Sequence, residues 1–343
     1  MKDLSIIIVN YRGWDRLHKC LESLRNINDT RFIFEAIIVD NQSNDGRLAE
    51  FIALFPEFDF IANTGNNGFA NGCNLGAARS RSRSLLFLNP DTTVNADAIY
   101  DMLEEIRVRP ENSIVTCRQV KEDGSNDRPY GKFLTINNLT GWQRAISCLF
   151  SGKIEDTVSQ TRHYIYPDWV SGSVLMIRRD SFYRLGKWDD DFWMYFEDVD
   201  LCRRALEKDG EIVKLKSAAV GHIHGGSSRI NREITITTKT EVHISRHIYI
   251  SKHERVGNAF LMHTMLILNN MVFGLIPAVL GVPLFFIRPF SIYSLTYFRL
   301  MDYYLNVFPS GTWLSERSVK YPSGKQNIEP EVAIGLHQAY PQH

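Results

Sequence analysis

Two continuous apolar runs near the N-terminus decide the fold: Leu4–Val9 (LSIIIV) and Phe34–Val39 (FEAIIV). Runs of this kind are typical of strands that are buried on both faces of a sheet. Between them, Leu17, Leu21 and Leu24 recur at the spacing of one helix face. This part of the sequence therefore predicts a strand, a helix and a second strand that belongs to the same parallel sheet.

The alternation of strands and helices continues downstream. A third buried strand is predicted at Leu85–Leu88 (LLFL), and a further short strand near Phe58–Ala62. Helices are predicted at Arg47–Phe55, around Asn74–Arg81 and over Ile99–Ile106. Such alternation predicts an α/β fold in which a mostly parallel, Rossmann-like sheet carries helices on both faces.

Polar clusters follow the predicted strands, at the point where each strand ends. They are Asn10-Tyr11, Asp40-Asn41 and Asn89-Pro90-Asp91. Because open α/β sheets bind ligands at the carboxyl ends of their strands, these clusters mark a candidate site.

Composition narrows the class of protein. The 343 residues include 39 Lys and Arg and 39 Asp and Glu, so the formal net charge is zero. The protein therefore lacks the net positive charge that would attract nucleic acid, and nucleic acid is not expected as a partner. The five cysteines are widely spaced and form no C-x-x-C pair, which argues against a disulfide framework or a zinc ribbon and favours the cytoplasm. The apolar run Leu4–Val9 is too short for a signal peptide.

Asp91 and two histidines are candidate metal ligands. A carboxylate at a strand end can bind Mg²⁺ or Mn²⁺, although N-P-D-T-T is equally good chemistry for a turn and a helix cap. Further on, His222 and His224 alternate along a predicted strand and would point the same way. Either histidine alone is explained as readily by a structural role.

A second acidic cluster, Glu197-Asp198-Val199-Asp200, follows a run rich in aromatic residues. Acids in the first turn of a helix usually interact with the helix dipole. An apolar setting, however, raises the pKa of a carboxylate and so suits it to act as a general base. The loop Asn63–Gly76 (NTGNNGFANGCNLG) is rich in glycine and could cradle phosphates, but it lacks the spacing of known nucleotide fingerprints.

The rest of the chain is less regular. We expect an irregular insertion at Arg128–Asp168 and a strand at Trp169–Ile177, and the polar tail after Pro309 is expected to be loosely ordered. Val256–Ile287 contains no Asp, Glu, Lys or Arg and exceeds the roughly 20 residues that a membrane-spanning helix needs. Prolines and polar residues interrupt it. A buried helical hairpin and a shallow membrane attachment both fit, and the aromatic residues that follow favour attachment.

Taken in order, these segments resemble family 2 glycosyltransferases of the bacterial rhamnosyltransferase-like branch. The resemblance extends over Lys2–Arg229. Its motifs are SIIIVNY, IIVDNQSNDG, NNGFANGCNLG, LFLNPD, WVSGSVLMI, GKWDDDFWMYFEDVDLCRR and HIHGGS.

The resemblance implies a GT-A fold over residues 1–250. Residues 1–118 would be the nucleotide-binding half and residues 119–250 the acceptor-binding half. An apolar, membrane-associated helical segment (251–308) and a polar tail (309–343) would follow.

The resemblance also implies roles for particular residues. Asp91 matches the last acid of a D-x-D metal motif whose first acid is here Asn89, and His222, or alternatively His224, matches a late ligand for Mg²⁺ or Mn²⁺. Asp198 matches the catalytic base. The implied donor-nucleotide site comprises Asn10, Tyr11, Asp40, Asn66, Gly68, Phe69, Asn74 and Asp91. The implied acceptor site comprises Trp169, Gly172, Trp188, Asp189 and Glu197, with Trp188 offering an aromatic surface to a sugar.

The implied activity is an inverting transfer of a sugar, with rhamnose suggested by the branch. The donor would be a dTDP- or UDP-sugar and the acceptor a glycan or lipid-linked glycan, at the cytoplasmic face of a membrane. A polyprenyl-phosphate acceptor and a non-catalytic membrane-associated scaffold are the alternatives. A sugar-nucleotide pyrophosphorylase is disfavoured, because Asn10-Tyr11-Arg12-Gly13-Trp14 stands where such enzymes need a Gly-rich basic loop.

Overall fold

A computed structural model describes residues 2–141, 143, 158–222 and 231–322. Its strands are β1 (Leu4–Asn10), β2 (Phe34–Asp40), β3 (Asp59–Ala62), β4 (Ser84–Leu88), β5 (Thr92–Thr93), β6 (Ile114–Val120), β7 (Tyr130–Gly131), β8 (Ser159–Gln160), β9 (Tyr164–Tyr166), β10 (Trp169–Val170), β11 (Val174–Arg178) and β12 (Ile212–His222). Its helices are α1 (Trp14–Arg25), α2 (Arg47–Leu54), α3 (Gly68–Arg79), α4 (Ala96–Val108), α5 (Arg179–Arg184), α6 (Glu197–Leu206), α7 (Arg232–His253), α8 (Val256–Leu268), α9 (Gly274–Gly281) and α10 (Arg288–Ser310), with a π-helical turn at Asn269–Phe273.

The central sheet has the strand order β3-β2-β1-β4-β11-β6-β12-β9-β8, and β5 pairs with the end of β12. Strands β1 to β4, β6, β8 and β12 run in one direction, whereas β5, β9 and β11 run in the other. The predicted α/β class and the mostly parallel sheet are therefore confirmed.

Strand β1 explains why an unbroken apolar run forms the centre of this sheet. Ile6 and Ile8 pack into a core with α1, α2 and α4, whereas Ile7 and Val9 pack into a second core with α3, α5 and α6. All four side chains are buried. Helices thus cover both faces, as predicted, and the carboxyl ends of the strands remain as the edge where a ligand can enter.

Two predicted elements differ from the structure near that edge. The strand predicted at Trp169–Ile177 is broken at residues 171–173, because β10 leaves the main sheet and pairs with β7. Helix α3 begins at Gly68, six residues before the predicted start at Asn74. Gly72 and Gly76 therefore lie inside a helix. A β-carbon at Gly76 would come within 2.6 Å of Ile7 Cγ2, so this glycine lets α3 pack closely on β1 and does not cradle a phosphate.

The C-terminal helices form the expected apolar extension. Residues Val256–Gly281 make up the single helix that is long and apolar enough to cross a membrane within the described ranges. Many of its large apolar side chains are exposed, among them Phe260, Ile276 and Leu280. Helix α7 runs through residue 250 without interruption, so the predicted domain boundary falls inside a helix and stays a prediction.

Residues 311–322 differ from the expected loose tail, and the later residues of that tail lie outside the described ranges. Residues 311–322 fold back over the domain that carries the central sheet, and Ser315 and Ser318 are buried within it. Because this segment also contributes to the site described below, we call Gly311–Pro322 the strap.

Candidate active site

A cavity of about 550 Å³ opens at the carboxyl ends of β1, β2, β4 and β12. Its other walls come from the break between β10 and β11, the start of α6, the first half of α7, and the strap. Of the predicted site residues, those that line it are Tyr11, Asn66, Phe69, Asp91, Gly172, Glu197, Asp198 and His222. Those that do not are Asn10, Asp40, Gly68, Asn74, Trp169, Trp188 and Asp189. The alternative ligand His224 lies outside the described residues.

Asp91 and His222 are brought together by a short antiparallel ladder. Strand β5 begins directly after Asp91, and its Thr92 pairs with His222 at the end of β12. Asp91 Oδ1 lies 3.2 Å from His222 Nε2, and both side chains are about 5% exposed or less. One strand pairing thus brings together two residues, Asp91 and His222, that are 131 positions apart in the sequence.

This pair fits a divalent metal. A carboxylate oxygen and an imidazole nitrogen are ligands that Mn²⁺ accepts, and they face the same cavity. Among the residues described, no group of three or more His, Cys, Asp or Glu side chains could hold a metal ion. A metal held here would therefore take further ligands from water or from a substrate diphosphate, which is the usual arrangement for Mg²⁺.

Asn41 and Asn66 organise the wall beside β2. The Asn41 side-chain amide donates to Asn66 Oδ1 at 3.0 Å and to the carbonyl of Gly68 at 3.1 Å. Asn41 Oδ1 in turn accepts from the Asn63 amide at 2.8 Å. The asparagines of this loop are therefore used largely to fix one another, which leaves Asn66 at the cavity wall in a defined position.

Trp193 fixes the same loop through two hydrogen bonds, one to Asn66 and one to Phe69. Its indole Nε1 donates to the carbonyl of Asn66 at 2.9 Å, and its own carbonyl accepts from the amide of Phe69 at 3.0 Å. A β-carbon on Gly68, which has φ +91°, would lie 2.1 Å from that carbonyl oxygen. Gly68 is consequently required by this close approach and by its left-handed backbone. Gly68 thus allows Trp193 to take its place in the cavity wall, although Gly68 itself does not line the cavity.

Asp40 and Asn10 are the last residues of β2 and β1, and neither lines the cavity. The Ser43 hydroxyl donates to Asp40 Oδ1 at 2.5 Å, and the Gly13 amide donates to Asn10 Oδ1 at 3.1 Å. Burial raises the pKa of Asp40, and hydrogen bonds from Ser43 offset part of this shift. In this structure both side chains therefore shape the turns that follow β1 and β2, and the contact of Asp40 with a base or ribose stays a prediction.

Two residues predicted to touch substrate are parts of the core. The Asn74 amide donates to the carbonyl of Trp188 at 2.9 Å, and its Oδ1 accepts from the amide of the same residue at 3.2 Å. Trp188 is 1% exposed and packs against Phe69, Phe87 and Phe182. Their placement does not support a direct substrate contact, because neither side chain has a surface on the cavity.

Trp169 and Asp189 also lie off the cavity wall. The Trp169 indole donates to the carbonyl of Lys132 at 3.0 Å. Asp189 forms ion pairs with Lys252 at 2.8 Å and with Lys320 of the strap at 3.2 Å. Asp189 therefore holds other segments in place, and its predicted contact with an acceptor has no support from this position.

Asp198 has the setting expected of a general base. Its Oδ2 accepts from the amide of Gly172 at 3.1 Å, and its Oδ1 accepts from the amide of Val199 at 2.8 Å. Burial raises the pKa of Asp198 to about 6, although both of these hydrogen bonds lower it. At neutral pH the group is therefore mostly ionised and still basic enough to take a proton.

Glu197 lies beside it with a different environment. The side chain is 5% exposed, and Oε2 makes no hydrogen bond to any described residue. Burial, and then the charge of Asp198, raise the pKa of Glu197. The two residues before it, Tyr195 and Phe196, have φ values of +70° and +68°. Consecutive left-handed residues that are not glycine are strained, and such strain is concentrated at functional sites.

Several cavity residues carry no signal in the sequence. Trp193, Ser171 and Ser173 come from segments that the motifs cover, but nothing in the motifs distinguishes them as wall residues. Lys239 of α7 and Arg317 of the strap lie far from every motif. Only the tertiary fold brings them to the cavity.

Comparison with known proteins gives the family. Residues 5–182, just over half of the chain, match the family model for glycosyl transferase family 2, and the chain belongs to that family. In structure it is similar to GalNAc-T7, solved with UDP, GalNAc and Mn²⁺, with a TM-score of 0.50 and 16% identity over 65% of this chain and 43% of that one. This likeness confirms the expected fold.

Three curated relatives are similar in sequence. The low-salt glycan biosynthesis hexosyltransferase Agl10 of Haloferax volcanii is 28% identical over 60% of this chain and 62% of its own length. The rhamnosyltransferase WbbL of Escherichia coli is 27% identical over 58% and 75% of the two chains. The N-acetylglucosaminyl-diphospho-decaprenol L-rhamnosyltransferase of Mycobacterium tuberculosis is 23% identical over 64% and 75%. The matched region thus spans less than two thirds of Agl10.

Proposed function

We propose that this protein is an inverting glycosyltransferase that moves a sugar from a nucleotide-sugar donor to a hydroxyl group of a glycan or lipid-linked glycan. The observation that carries the proposal is that one cavity is lined by a carboxylate and an imidazole that could hold a metal, Asp91 and His222, and by a carboxylate suited to act as a base, Asp198. Membership of family 2 and the names of the relatives support the same reaction class.

The proposed reaction is a single displacement. Asp198 takes the proton of the acceptor hydroxyl as that oxygen forms a bond to the anomeric carbon, and the bond from that carbon to the diphosphate oxygen breaks. The electron pair of the broken bond leaves with the nucleoside diphosphate. A divalent metal bound by Asp91 and His222 would offset the negative charge that develops on this leaving group. Burial raises the pKa of Glu197, which lies on the same cavity wall beside Asp198 and would contact the acceptor.

Rhamnose is the proposed sugar, because two of the relatives are named rhamnosyltransferases. The donor would then be dTDP-rhamnose, with UDP-hexoses as the competing donors. The exposed apolar side chains of α8 and α9 support a peripheral position on the cytoplasmic face of a membrane, where a lipid-linked acceptor or a polyprenyl phosphate would be available.

The test is the release of nucleoside diphosphate from dTDP-rhamnose, UDP-glucose, UDP-N-acetylglucosamine and GDP-mannose, each with Mn²⁺ and membrane lipids as acceptor. We expect release from donors of one base, loss of this release in Asp91→Asn, and no change in the exposed control Asp97→Asn. If a folded wild-type protein releases no diphosphate from any of the four donors and binds none of the nucleotides, the result favours the scaffold alternative.

A further inference from the structure

The strap is attached to the rest of the protein on both sides of Arg317. The Ser315 hydroxyl donates to Glu241 Oε1 on α7 at 2.8 Å, and the Ser318 hydroxyl donates to the carbonyl of Asp190 at 3.0 Å. Both serines are 2% exposed or less. The strap therefore connects α7 to the segment that precedes the catalytic acids.

An ion-pair cluster fixes the end of the strap. Lys320 Nζ lies 2.9 Å from Asp191 Oδ1 and 3.2 Å from Asp189 Oδ1. Lys252 of α7 also pairs with both of these aspartates. Two lysines thus balance two aspartates, and the partly buried positions of the acids make these pairs stronger than ordinary surface pairs.

Arg317 lies between these attachment points and reaches the cavity. Its guanidinium carbon is 5.3 Å from the centroid of the Trp193 ring, and its side chain is 50% exposed. The contact with Glu241 is long, 3.8 Å between Nε and Oε1. Burial raises the pKa of Glu241 to about 7, so at neutral pH this acid offsets only part of the arginine charge. The strap therefore presents a cation to the cavity.

A second cation, Lys239, lines the same cavity from α7. Its Nζ lies 5.0 Å from the ring of Tyr293, which is 58% exposed on α10. Nearby on α7, Arg232 lies 4.7 Å from the ring of Phe285, another exposed side chain. This wall of the cavity therefore borders the exposed apolar surface of the C-terminal helices.

We propose that Arg317, with Lys239, binds a phosphate group of an amphiphilic acceptor whose apolar chain lies on the C-terminal helices. The inference rests on the proposed function, and it names the acceptor as a lipid phosphate or diphosphate. A guanidinium suits this ligand, because its planar donors match two phosphate oxygens at once. Arg317 and Lys239 would form this anion site on the α7 and strap side of the cavity. The proposed site for the donor diphosphate is separate, at the strand ends beside Asp91 and His222. Arg317 belongs to the strap, far beyond the region that matches the family model.

The test uses farnesyl phosphate below its micelle concentration as the probe, in EDTA so that no metal site competes. Binding is measured by the fluorescence of the tryptophans, one of which, Trp193, lies under Arg317. We expect Arg317→Ala to raise the Kd by about tenfold or more, as loss of a hydrogen bond to a charged group does, and Arg317→Lys to raise it less. The matched control Arg79→Ala removes an exposed arginine on α3 and should leave the Kd unchanged.

Two further probes identify the source of the phosphate. Farnesol and inorganic phosphate should each bind at least about tenfold more weakly than farnesyl phosphate, since each lacks one half of the ligand. The proposal is overturned if Arg317→Ala binds farnesyl phosphate as the wild type does, or if inorganic phosphate alone binds equally well.

Nucleotide binding is measured separately, so that failure of the proposed anion site can be distinguished from failure of the proposed function. Stabilisation by nucleoside diphosphate and Mn²⁺ should persist in Arg317→Ala, because Asp91 and His222 are retained, and it also shows that the variant is folded. A wild type that binds farnesyl phosphate through Arg317 but no nucleotide would refute the proposed function and leave the anion site in place.

Discussion

The backbone amide of Gly172 donates a hydrogen bond to Oδ2 of Asp198, with 3.1 Å between the two atoms. Gly172 belongs to the break between β10 and β11, and Asp198 belongs to the first turn of α6. The amide of Val199 holds the other carboxylate oxygen at 2.8 Å. Because each oxygen accepts a hydrogen bond from the backbone, the carboxylate has a fixed orientation while it lines the cavity.

The first prediction concerns this carboxylate as the base. Asp198→Asn keeps the size of the side chain but removes its ability to take a proton. We expect the transfer rate to fall by about 10²- to 10⁴-fold, the usual contribution of a general base. Nucleotide binding should not change, and a variant that has lost both transfer and binding would instead indicate a structural role.

The pH dependence of transfer follows from the same residue. Since burial raises the pKa of Asp198 to about 6, the base is protonated and inactive below that pH. We expect kcat/KM to rise about tenfold per pH unit below pH 6 and to level off above it. A profile that is flat between pH 4.5 and 7.5, in a protein shown to remain folded, would contradict the assignment.

Glu197 should cost the protein stability at high pH. Its pKa is raised in the folded state, so the folded protein holds this proton more tightly than the unfolded chain does, and stability is lost as the pH rises through the folded-state pKa. Glu197→Gln should therefore unfold at a higher urea concentration than the wild type at pH 8, and the gain should shrink at pH 5. The exposed control Glu50→Gln should show neither effect. Equal loss of stability at both pH values would show that the carboxyl group is stabilising.

Gly68 should be irreplaceable because of the carbonyl of Trp193. Gly68→Ala combines a left-handed backbone with a β-carbon 2.1 Å from that oxygen. The matched control is Gly124→Ala, which has φ +80° and nothing within 4 Å of the added carbon. We expect the control to lose about 1–2 kcal/mol in urea unfolding and Gly68→Ala to lose clearly more. Equal losses would mean that the Trp193 contact relaxes at no cost.

The apolar surface predicts vesicle binding. Ile276 and Leu280 lie on α9 with 62% of each side chain exposed. Replacing both with Asp should weaken sedimentation with phospholipid vesicles by at least about tenfold, because each buried aliphatic side chain contributes roughly 1.5–3 kcal/mol. Val108→Asp, at a 78% exposed position on α4, should leave vesicle binding unchanged. Unaltered binding by the double variant would place the membrane contact elsewhere.

The sequence predicts those parts of the fold and site that depend on local pattern. The apolar run of β1 implies burial on both faces, and both faces are covered. Asp91 lies three residues after the end of a buried strand, so its position at the sheet edge follows from the sequence pattern. Its partner His222 is placed by a ladder with β5, a strand of two residues, which no pattern in the sequence reveals.

The remaining site residues depend on contacts between distant segments. Asn74 and Trp188 belong to the motifs that carry the resemblance, yet their hydrogen bonds to each other join α3 to the loop before α6. Arg317 lies in a stretch whose polar composition resembles a loose tail, and the buried serines that anchor it become apparent only in the fold. Local pattern therefore identifies strand-end residues better than residues delivered by loops.

The most direct test of the account is a thermal-shift titration with UDP, dTDP and GDP, each with and without Mn²⁺, on the wild type and Asp91→Ala. A ligand at a hundred times its Kd stabilises a fold by about 2.7 kcal/mol, which is easily measured. We predict stabilisation of the wild type by one of these nucleotides, dependent on Mn²⁺ and lost in Asp91→Ala. Stabilisation that is independent of Mn²⁺ and equal in Asp91→Ala, or no stabilisation of a folded wild type by any nucleotide, would contradict a metal-assisted donor site at Asp91 and His222.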